Sequence, residues 1–309
     1  MAEALNLVDD TRPGRREEAL ALLDVLEREA PLPGAPRVGL TGAPGAGKST
    51  LLDALVRRLR GRGETVGVVA VDPSSRRTGG ALLGDRVRVR SGASDPGVFF
   101  RSMAARERLG GLADATFASL TVLAAAFDRV FVETVGVGQS ESDVADLVDT
   151  LVFVAQPGAG DLLQFMKAGI LEWPDVVAVN KADMGPLARR TAGELEAGLG
   201  LAELPAGAWR PPVLLVSARD GTGVAELAAA LNAHAAELRR SGALAPRRQR
   251  AREAFVREGL ERRYGSFGLA ALGGRDAVAS RIHAARGVSA FALLLHLSAE
   301  IEDRLRKPA

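Results

Sequence analysis

A glycine-rich segment near residue 45 has the residue types and the spacing of a phosphate-binding loop. It fits the pattern G-x-x-x-x-G-K followed by Ser or Thr, between a predicted strand and a predicted helix. Glycines at these positions let consecutive backbone N–H groups turn toward phosphate oxygens, and the next helix points its positive end at them. Lys48 would reach the β- and γ-phosphates of a nucleotide, and the Ser49 hydroxyl would ligate Mg²⁺. The predicted phosphate-binding residues are Gly42, Ala43, Pro44, Gly45, Ala46, Gly47, Lys48, Ser49 and Thr50.

A second motif, NKAD, begins at Asn180 directly after a predicted strand and is typical of guanine recognition. The Asp183 carboxylate can accept hydrogen bonds from guanine N1–H and from the 2-amino group. Adenine offers no matching donors, and a buried carboxylate left unpaired is costly. Asn180 would support the loop, and the stem of Lys181 would lie on the base. Ser217 and Ala218 follow the next predicted strand and resemble a second base-contacting element, in which a backbone N–H meets guanine O6.

Carboxylates near the phosphate loop predict a magnesium site. Mg²⁺ requires octahedral oxygen ligands and usually takes one or two protein carboxylates. Asp72 directly follows one predicted strand and Glu133 ends another, so together with Ser49 they are predicted metal ligands. Asp85 is a further predicted ligand, although a solvated loop carboxylate explains it nearly as well. Gly136 would offer its N–H to the γ-phosphate.

The chemistry predicted for this site is hydrolysis of the terminal phosphate, with Lys48, Glu133 and Gln139 as catalytic residues. Gln139 could orient the attacking water, and Arg76 or Arg77 could stabilise charge in the transition state. A solvated-loop role explains each of these last three side chains at least as well, so the activating residue stays open.

Short apolar runs alternate with amphipathic or glycine-rich stretches, and this alternation predicts the elements that position the site. The runs predict strands at residues 37–41, 65–71, 129–133, 150–155, 175–180 and 213–217, and a helix at 48–60. Continuous apolar strands separated by helices are typical of a mainly parallel sheet covered on both faces. Such sheets bind ligands at the carboxyl ends of their strands. The predicted fold is therefore an α/β P-loop nucleotide-binding fold.

The flanks of the chain differ from this centre and predict helical extensions at both ends. The predicted units are an N-terminal helical extension at 1–34, a nucleotide-binding domain at 35–240 and a C-terminal helical arm at 241–309. Glycines at 273, 274 and 287 break the arm into three predicted helices. Its arginine-rich stretch at 247–263 also contains glutamates, which is typical of an ion-paired solvated face. A dimer contact and a basic surface for an acidic partner both stay open.

Composition excludes several classes of protein. The 309 residues include no cysteine and three histidines, which excludes disulfide scaffolds, iron–sulfur clusters, thiolate zinc sites and cysteine nucleophiles. The 40 basic and 38 acidic residues nearly cancel, and aromatic residues make up 4%, so no nucleic-acid partner is expected. No apolar run reaches the roughly 18 residues of a membrane span, and no signal-peptide core is visible. We expect a cytoplasmic protein with no membrane partner.

Taken together, these motifs resemble the MeaB/ArgK family of P-loop GTPases, the chaperones associated with methylmalonyl-CoA mutase. The resemblance rests on GAPGAGKST at 42–50, VDPSS at 71–75, ETVGVGQ at 133–139 and VNKAD at 179–183. It implies hydrolysis of GTP to GDP and phosphate with Mg²⁺, and a C-terminal arm that forms a homodimer. It also implies that hydrolysis gates the loading of adenosylcobalamin into an acyl-CoA mutase and protects that mutase. Residues 158–167 would form a mobile loop, with Lys167 contacting nucleotide or mutase.

Two alternatives share the phosphate loop. A nickel or cobalt insertion GTPase has the same fold, but such proteins usually hold the ion with Cys or His ligands, which are scarce here. A P-loop kinase of a transport system is the other alternative, and the guanine-reading motif disfavours its use of ATP. The sequence also departs from the resembled family at Phe165 and Met166, and in lacking a tryptophan-rich C-terminal helix.

Overall fold

A single parallel sheet lies at the centre of the computed structural model. The structure describes residues 1–10, 12–29, 34–73, 95–105, 112–134, 140–158, 174–201, 205, 207–285 and 287–306. In these ranges the strands run parallel in the order β3-β2-β4-β1-β5-β6-β7. Their bounds are β1 Arg37–Thr41, β2 Val66–Pro73, β3 Val98–Ala105, β4 Arg129–Thr134, β5 Thr150–Ala155, β6 Val176–Val179 and β7 Val213–Leu215. The predicted parallel sheet is confirmed.

The strand β3 was not among the predicted strands. It lies at the edge of the sheet and pairs only with β2 among the described strands. Its side chains from Val98 to Ser102 are half-buried, and Arg101 and Ser102 interrupt the apolar run. An edge strand of this kind lacks the continuous apolar pattern by which buried parallel strands are recognised.

Helices cover both faces of the sheet. Apolar side chains of α3 and α7 pack with Val152, Val154 and Val176 on one face. Those of α4, α5 and α6 pack on the opposite face, against side chains such as Val132 and Phe153. The helices are α1 Ala2–Val8, α2 Pro13–Glu29, α3 Lys48–Arg60, α4 Leu112–Ala124, α5 Ser140–Leu147, α6 Pro186–Gly200, α7 Val224–Arg240, α8 Leu244–Ala271, α9 Arg275–Ala284 and α10 Ala290–Arg306.

The helices at the two ends of the chain share one apolar core with α4. Phe117 of α4 stacks on Phe255 of α8 with ring centroids 4.7 Å apart, and Phe291 of α10 lies 5.0 Å from Phe255. Leu20 and Leu23 of α2 belong to the same core. The predicted helical extensions are thus confirmed, while the domain boundaries at 34/35 and 240/241 stay a prediction. The arm kinks at Gly265 within α8.

Two arginine–aspartate pairs fix the start of α8 to the amino edge of the sheet. The Arg248 guanidinium donates to both carboxylate oxygens of Asp149, at 2.8 and 2.6 Å. Arg247 donates in the same way to Asp175, at 3.0 and 2.8 Å. These aspartates directly precede β5 and β6, so the pairs attach the arm to the strands themselves. Among the described helices, none combines the length and apolar character needed to cross a membrane.

Candidate functional site

The loop between β1 and α3 turns sharply at three glycines. Gly42, Gly45 and Gly47 have φ angles of 139°, 80° and 86°, which other residues rarely adopt. A Cβ atom on Gly42 would lie 2.2 Å from the carbonyl oxygen of Val154, and one on Gly47 would lie 2.5 Å from Asn180 Nδ2. The loop therefore passes so close to β5 and β6 that only glycine fits at these two positions. Its path leads the chain into the N-terminus of α3.

Lys48 lies at the first position of α3 and is 6% exposed. Its ammonium donates hydrogen bonds to the carbonyl oxygens of Gly42 and Ala43, at 2.6 and 3.1 Å. The side chain thus reaches back over the loop rather than out to solvent. A positive charge held in this concave turn, beside a helix N-terminus, is suited to phosphate oxygens.

Ser49 and Glu133 meet at the carboxyl edge of the sheet. The Ser49 hydroxyl donates to Glu133 Oε1 at 2.5 Å, and Glu133 is 8% exposed. Glu133 belongs to β4, whose register places it beside Leu40 of β1, one residue before that strand ends. A hydroxyl and a carboxylate in contact are both hard oxygen ligands, so the pair fits Mg²⁺.

The other predicted metal and switch residues are less fully described. Asp72 lies near the end of β2, where its main chain is in register with Ala104 of β3, so it belongs to the same edge of the sheet as Glu133. The remaining predicted residues lie outside the described part of the chain: Arg76, Arg77, Asp85, Gly136, Gln139 and Lys167.

Asn180 connects three loops of the site. Its side-chain amide donates to the carbonyl oxygens of Ala46 and Gly47, at 2.8 and 3.3 Å. Its amide oxygen accepts from the backbone N–H of Ala218 at 3.3 Å. Because Asn180 is 2% exposed, these bonds form away from solvent and hold the predicted base-reading loops against the phosphate loop.

Asp183 lies on the short 3₁₀ turn Ala182–Met184 at the rim of the site. The buried Ser217 hydroxyl donates to Asp183 Oδ1 at 3.1 Å, and Arg219 lies 3.7 Å from Oδ2. The backbone N–H of Ala182 donates to the carbonyl oxygen of Val216 at 2.9 Å. Asp183 is exposed, but Ser217 and Arg219 restrict the orientation of its carboxylate. This suits a group that must present hydrogen-bond acceptors to a planar base.

Lys181 spans the gap between the base-reading loop and the phosphate loop. It is the only non-glycine residue with a positive φ in the described ranges, at 60°. Its ammonium donates to the carbonyl oxygen of Gly45 and to Gln156 Oε1, both at 2.9 Å. Sequence reasoning missed Gln156. Its position directly after β5, at the ligand-binding edge of the sheet, is the signal that points to it.

The described residues offer few protein ligands to any one metal ion. Within the described ranges, no three or more His, Cys, Asp or Glu side chains are grouped as a metal site. The Ser49–Glu133 pair alone would leave most positions on an octahedral ion to phosphate and water, which is the usual arrangement for Mg²⁺ in nucleotide sites.

Comparisons with known proteins agree with this geometry. A family model described as methylmalonyl-CoA mutase-associated GTPase MeaB matches residues 1–264. A putative GTPase of Pyrococcus abyssi is 46% identical over 256 residues, which are 81% of this chain and 76% of that protein. The mitochondrial methylmalonic aciduria type A homolog of Mus musculus is 40% identical over 261 residues, which are 81% of this chain and 63% of that protein.

A solved structure is similar over almost the whole length of the chain. The crystal structure of an LAO/AO transport system kinase superposes with a TM-score of 0.71 and 27% identity, over 96% of this chain and 92% of the other. The similarity therefore includes the helical ends of the chain as well as the sheet.

Proposed function

The chain belongs to the MeaB family of methylmalonyl-CoA mutase-associated GTPases, and from this membership we propose that it hydrolyses GTP as a chaperone of an adenosylcobalamin-dependent acyl-CoA mutase. The observation that carries the nucleotide-binding part of the proposal is the set of hydrogen bonds made by Asn180. They join the phosphate loop to the guanine-reading motif and to Ala218. A site built in this way recognises the base and the phosphates of one nucleotide together.

Phosphate binding is assigned to the loop at 42–50. Its N–H groups and the N-terminus of α3 provide the partial positive charge, and Lys48 adds a full charge beside the transferred phosphoryl group. Because hydrolysis spreads negative charge over the terminal phosphate oxygens, a preorganised cation at this position lowers the barrier.

Mg²⁺ is the expected cofactor, and its ligands on the protein would be Ser49 and Glu133, with Asp72 and Asp85 as further candidates. When bound, the ion would neutralise charge on the β- and γ-phosphates. Glu133 holds the Ser49 hydroxyl in place from the end of β4, so the two oxygen ligands are fixed by different elements of the fold. Glu133 is thus a metal-site residue in this proposal, in contact with the serine that follows Lys48.

Guanine specificity is assigned to Asp183, with Ser217 holding its carboxylate and Ala218 offering a backbone N–H near guanine O6. Adenine would leave the Asp183 acceptors unmatched, which costs binding free energy. GTP and GDP are therefore the proposed nucleotide ligands.

The proposed partner is the mutase, because the family's description names methylmalonyl-CoA mutase. Gln139 is proposed to orient the attacking water and Gly136 to bind the γ-phosphate. We expect slow intrinsic hydrolysis that the mutase accelerates, as partner proteins do for other P-loop GTPases. Conversion of GTP to GDP would then gate transfer of adenosylcobalamin to the mutase.

A homodimer formed by the C-terminal helices and a location in the cytoplasm are further parts of the proposal. Phe267 of α8 is 74% exposed and Leu305 of α10 is 43% exposed. The dimer is proposed from the resemblance to the family, and these two exposed side chains are the candidates for its interface. Light scattering during size exclusion measures the mass, and a monomer at all concentrations would contradict the dimer.

The test of the whole proposal is GTP turnover measured with and without a purified acyl-CoA mutase, with ATP as the control nucleotide. We expect turnover of GTP only, faster in the presence of the mutase, and a complex that depends on which nucleotide is bound. Absence of both stimulation and association would remove the chaperone role. Transfer of phosphate from ATP to a protein acceptor would favour the transport-system kinase instead.

A further inference from the structure

Gln156 lies between the phosphate loop and the base-reading loop, as the first residue after β5. Its amide oxygen accepts a hydrogen bond from Lys181 Nζ at 2.9 Å. The same oxygen would lie 3.8 Å from a Cβ atom on Gly45, so the side chain is close to the tip of the phosphate loop. We infer that Gln156 is a positioning residue for the bound guanine nucleotide, acting through Lys181. This inference rests on the proposed function.

The chemistry of the contact fixes the direction of the amide. An ammonium donates and cannot accept, so the oxygen of Gln156 must face Lys181. The carbonyl oxygen of Gly45 takes a second ammonium hydrogen at 2.9 Å. Two acceptors on two different loops therefore determine where the end of the lysine side chain lies.

Holding Lys181 in place before the nucleotide binds reduces the side-chain entropy that is lost on binding. A free lysine side chain has many rotamers, and ordering it on binding would reduce the affinity. With its ammonium held at Gln156 and Gly45, the aliphatic stem already spans the region between the base-reading and phosphate loops. Gln156 thus holds the Lys181 stem in the position in which it packs on the base, and contacts none of the base atoms that distinguish guanine.

The scaffold around Gln156 is rigid enough for this role. Ala155, the preceding residue, is in register with Val179 of β6. On the other side, the backbone N–H of Gly158 donates to the Thr191 hydroxyl of α6 at 3.3 Å. The main chain of Gln156 is therefore attached to the sheet before it and to α6 after it, and the side chain starts from a fixed point.

The experiment measures release of a fluorescent GDP analogue, labelled with N-methylanthraniloyl on the ribose, from the full chain. Gln156→Met keeps the length of the side chain and removes the strong acceptor, whereas Gln156→Glu keeps an acceptor oxygen. We expect release about fivefold faster for Gln156→Met and within about twofold of wild type for Gln156→Glu, because one charge-assisted, half-exposed hydrogen bond is lost or kept. Gln249→Met, which removes a glutamine contact with Glu253 in α8, is the matched control and should release GDP at the wild-type rate.

Two further measurements separate positioning from a merely structural role. The first uses an inosine diphosphate analogue, which lacks the 2-amino group. Gln156→Met should speed its release by the same factor as it speeds release of the GDP analogue, since Lys181 does not read the base edge. In a Lys181→Met background, adding Gln156→Met should change release by less than about twofold, because coupled residues are not additive. Should Gln156→Met melt at a lower temperature than the control, Gln156→Asn, which is one methylene too short to reach, replaces it.

The outcomes are distinct. Faster release from Gln156→Met, restored by Gln156→Glu, supports the inference. An unchanged rate, an equal effect of Met and Glu, or an altered ratio of GDP to inosine release overturns it while the proposed function stands. If the wild-type chain does not bind the GDP analogue, the proposed function itself fails.

Discussion

Polar groups gather at both edges of the same sheet, but different partners satisfy them. At the amino edge, Asp149 is 2% exposed and is paired with Arg248, and Asp175 is paired with Arg247. At the carboxyl edge, Asn180 is equally buried but bonds to backbone groups of the neighbouring loops. At the amino edge, ion pairs attach a helix to the sheet. At the carboxyl edge, hydrogen bonds from a side chain to the loop backbone shape a surface that can bind a ligand.

The amino edge is also more enclosed. The buried His234 ring accepts or donates at Thr150 Oγ1, 2.8 Å away, and lies 3.3 Å from Asp175 Oδ1. The Trp209 indole N–H donates to the carbonyl oxygen of Asp175 at 2.7 Å. Such a network contributes to stability and presents little to solvent. Substitutions at the two edges should therefore separate stability from nucleotide binding.

The largest effect is expected at the phosphate loop. Lys48→Ala should reduce GTP turnover by roughly 10²–10³-fold, the usual cost of removing one preorganised charge or donor from a transition state. The melting temperature should change little, because the loop itself is shaped by glycines. Single-turnover hydrolysis and thermal melting of the same sample provide the check. A large loss of stability with normal turnover would show that the phosphate loop serves stability and not hydrolysis, which would contradict the role assigned to the carboxyl edge.

The next effect is a change of base preference. Asp183→Asn replaces an acceptor with an amide that matches the additional carbonyl of xanthine, so selectivity should shift from guanine toward xanthine by at least about 100-fold. Competition binding with GDP and xanthosine diphosphate measures the shift. Unaltered guanine preference would show that Asp183 does not read the base.

At the amino edge we expect a loss of stability instead. Arg248→Met removes the guanidinium that donates to both oxygens of the buried Asp149, which keeps a hydrogen bond from the backbone N–H of Arg37 at 2.9 Å. The free energy of unfolding should fall by about 2–3 kcal/mol, because a buried charge that loses its main partner is costly. The affinity for GDP should stay at the wild-type value. Arg240→Met removes an exposed pair with Glu237 and, as the control, should leave the free energy of unfolding almost unchanged, because exposed ion pairs contribute little to stability. Denaturant unfolding measures both variants.

The smallest effect is a dependence of stability on pH. Burial lowers the pKa of His234, Asp175 opposes this shift and Arg247 reinforces it. Since the folded-state pKa lies below the ordinary value of about 6.5, acidification through that value protonates the unfolded chain first and reduces stability. His234→Gln should make stability less dependent on pH below this value. An unchanged slope of stability against pH in the variant would contradict a role for this histidine.

Much of the fold could be predicted because its signals are local. The apolar runs at Arg37–Thr41 and Thr150–Ala155 matched the observed strands, and the helix Lys48–Arg60 also matched. Buried parallel strands carry their pattern in consecutive residues. The edge strand β3 does not, and it was missed for that reason.

The amino-edge network and Gln156 could not be predicted by the same means. Arg247 and Asp175 are 72 residues apart in sequence, and only tertiary packing brings them together. The motifs for phosphate and guanine have fixed spacing, so Asn180 and Lys48 could be assigned roles in advance. Gln156 belongs to no such motif, and its contact with Lys181 depends on the order of strands in the sheet.

Every role proposed above requires that the carboxyl edge of this sheet binds a guanine nucleotide with Mg²⁺. Calorimetric titration of the full chain with GDP and Mg²⁺, alongside ADP and Mg²⁺, tests it most directly. We expect saturable heat with GDP and none with ADP at the same concentrations. Saturable heat with ADP, or none with GDP, would contradict it.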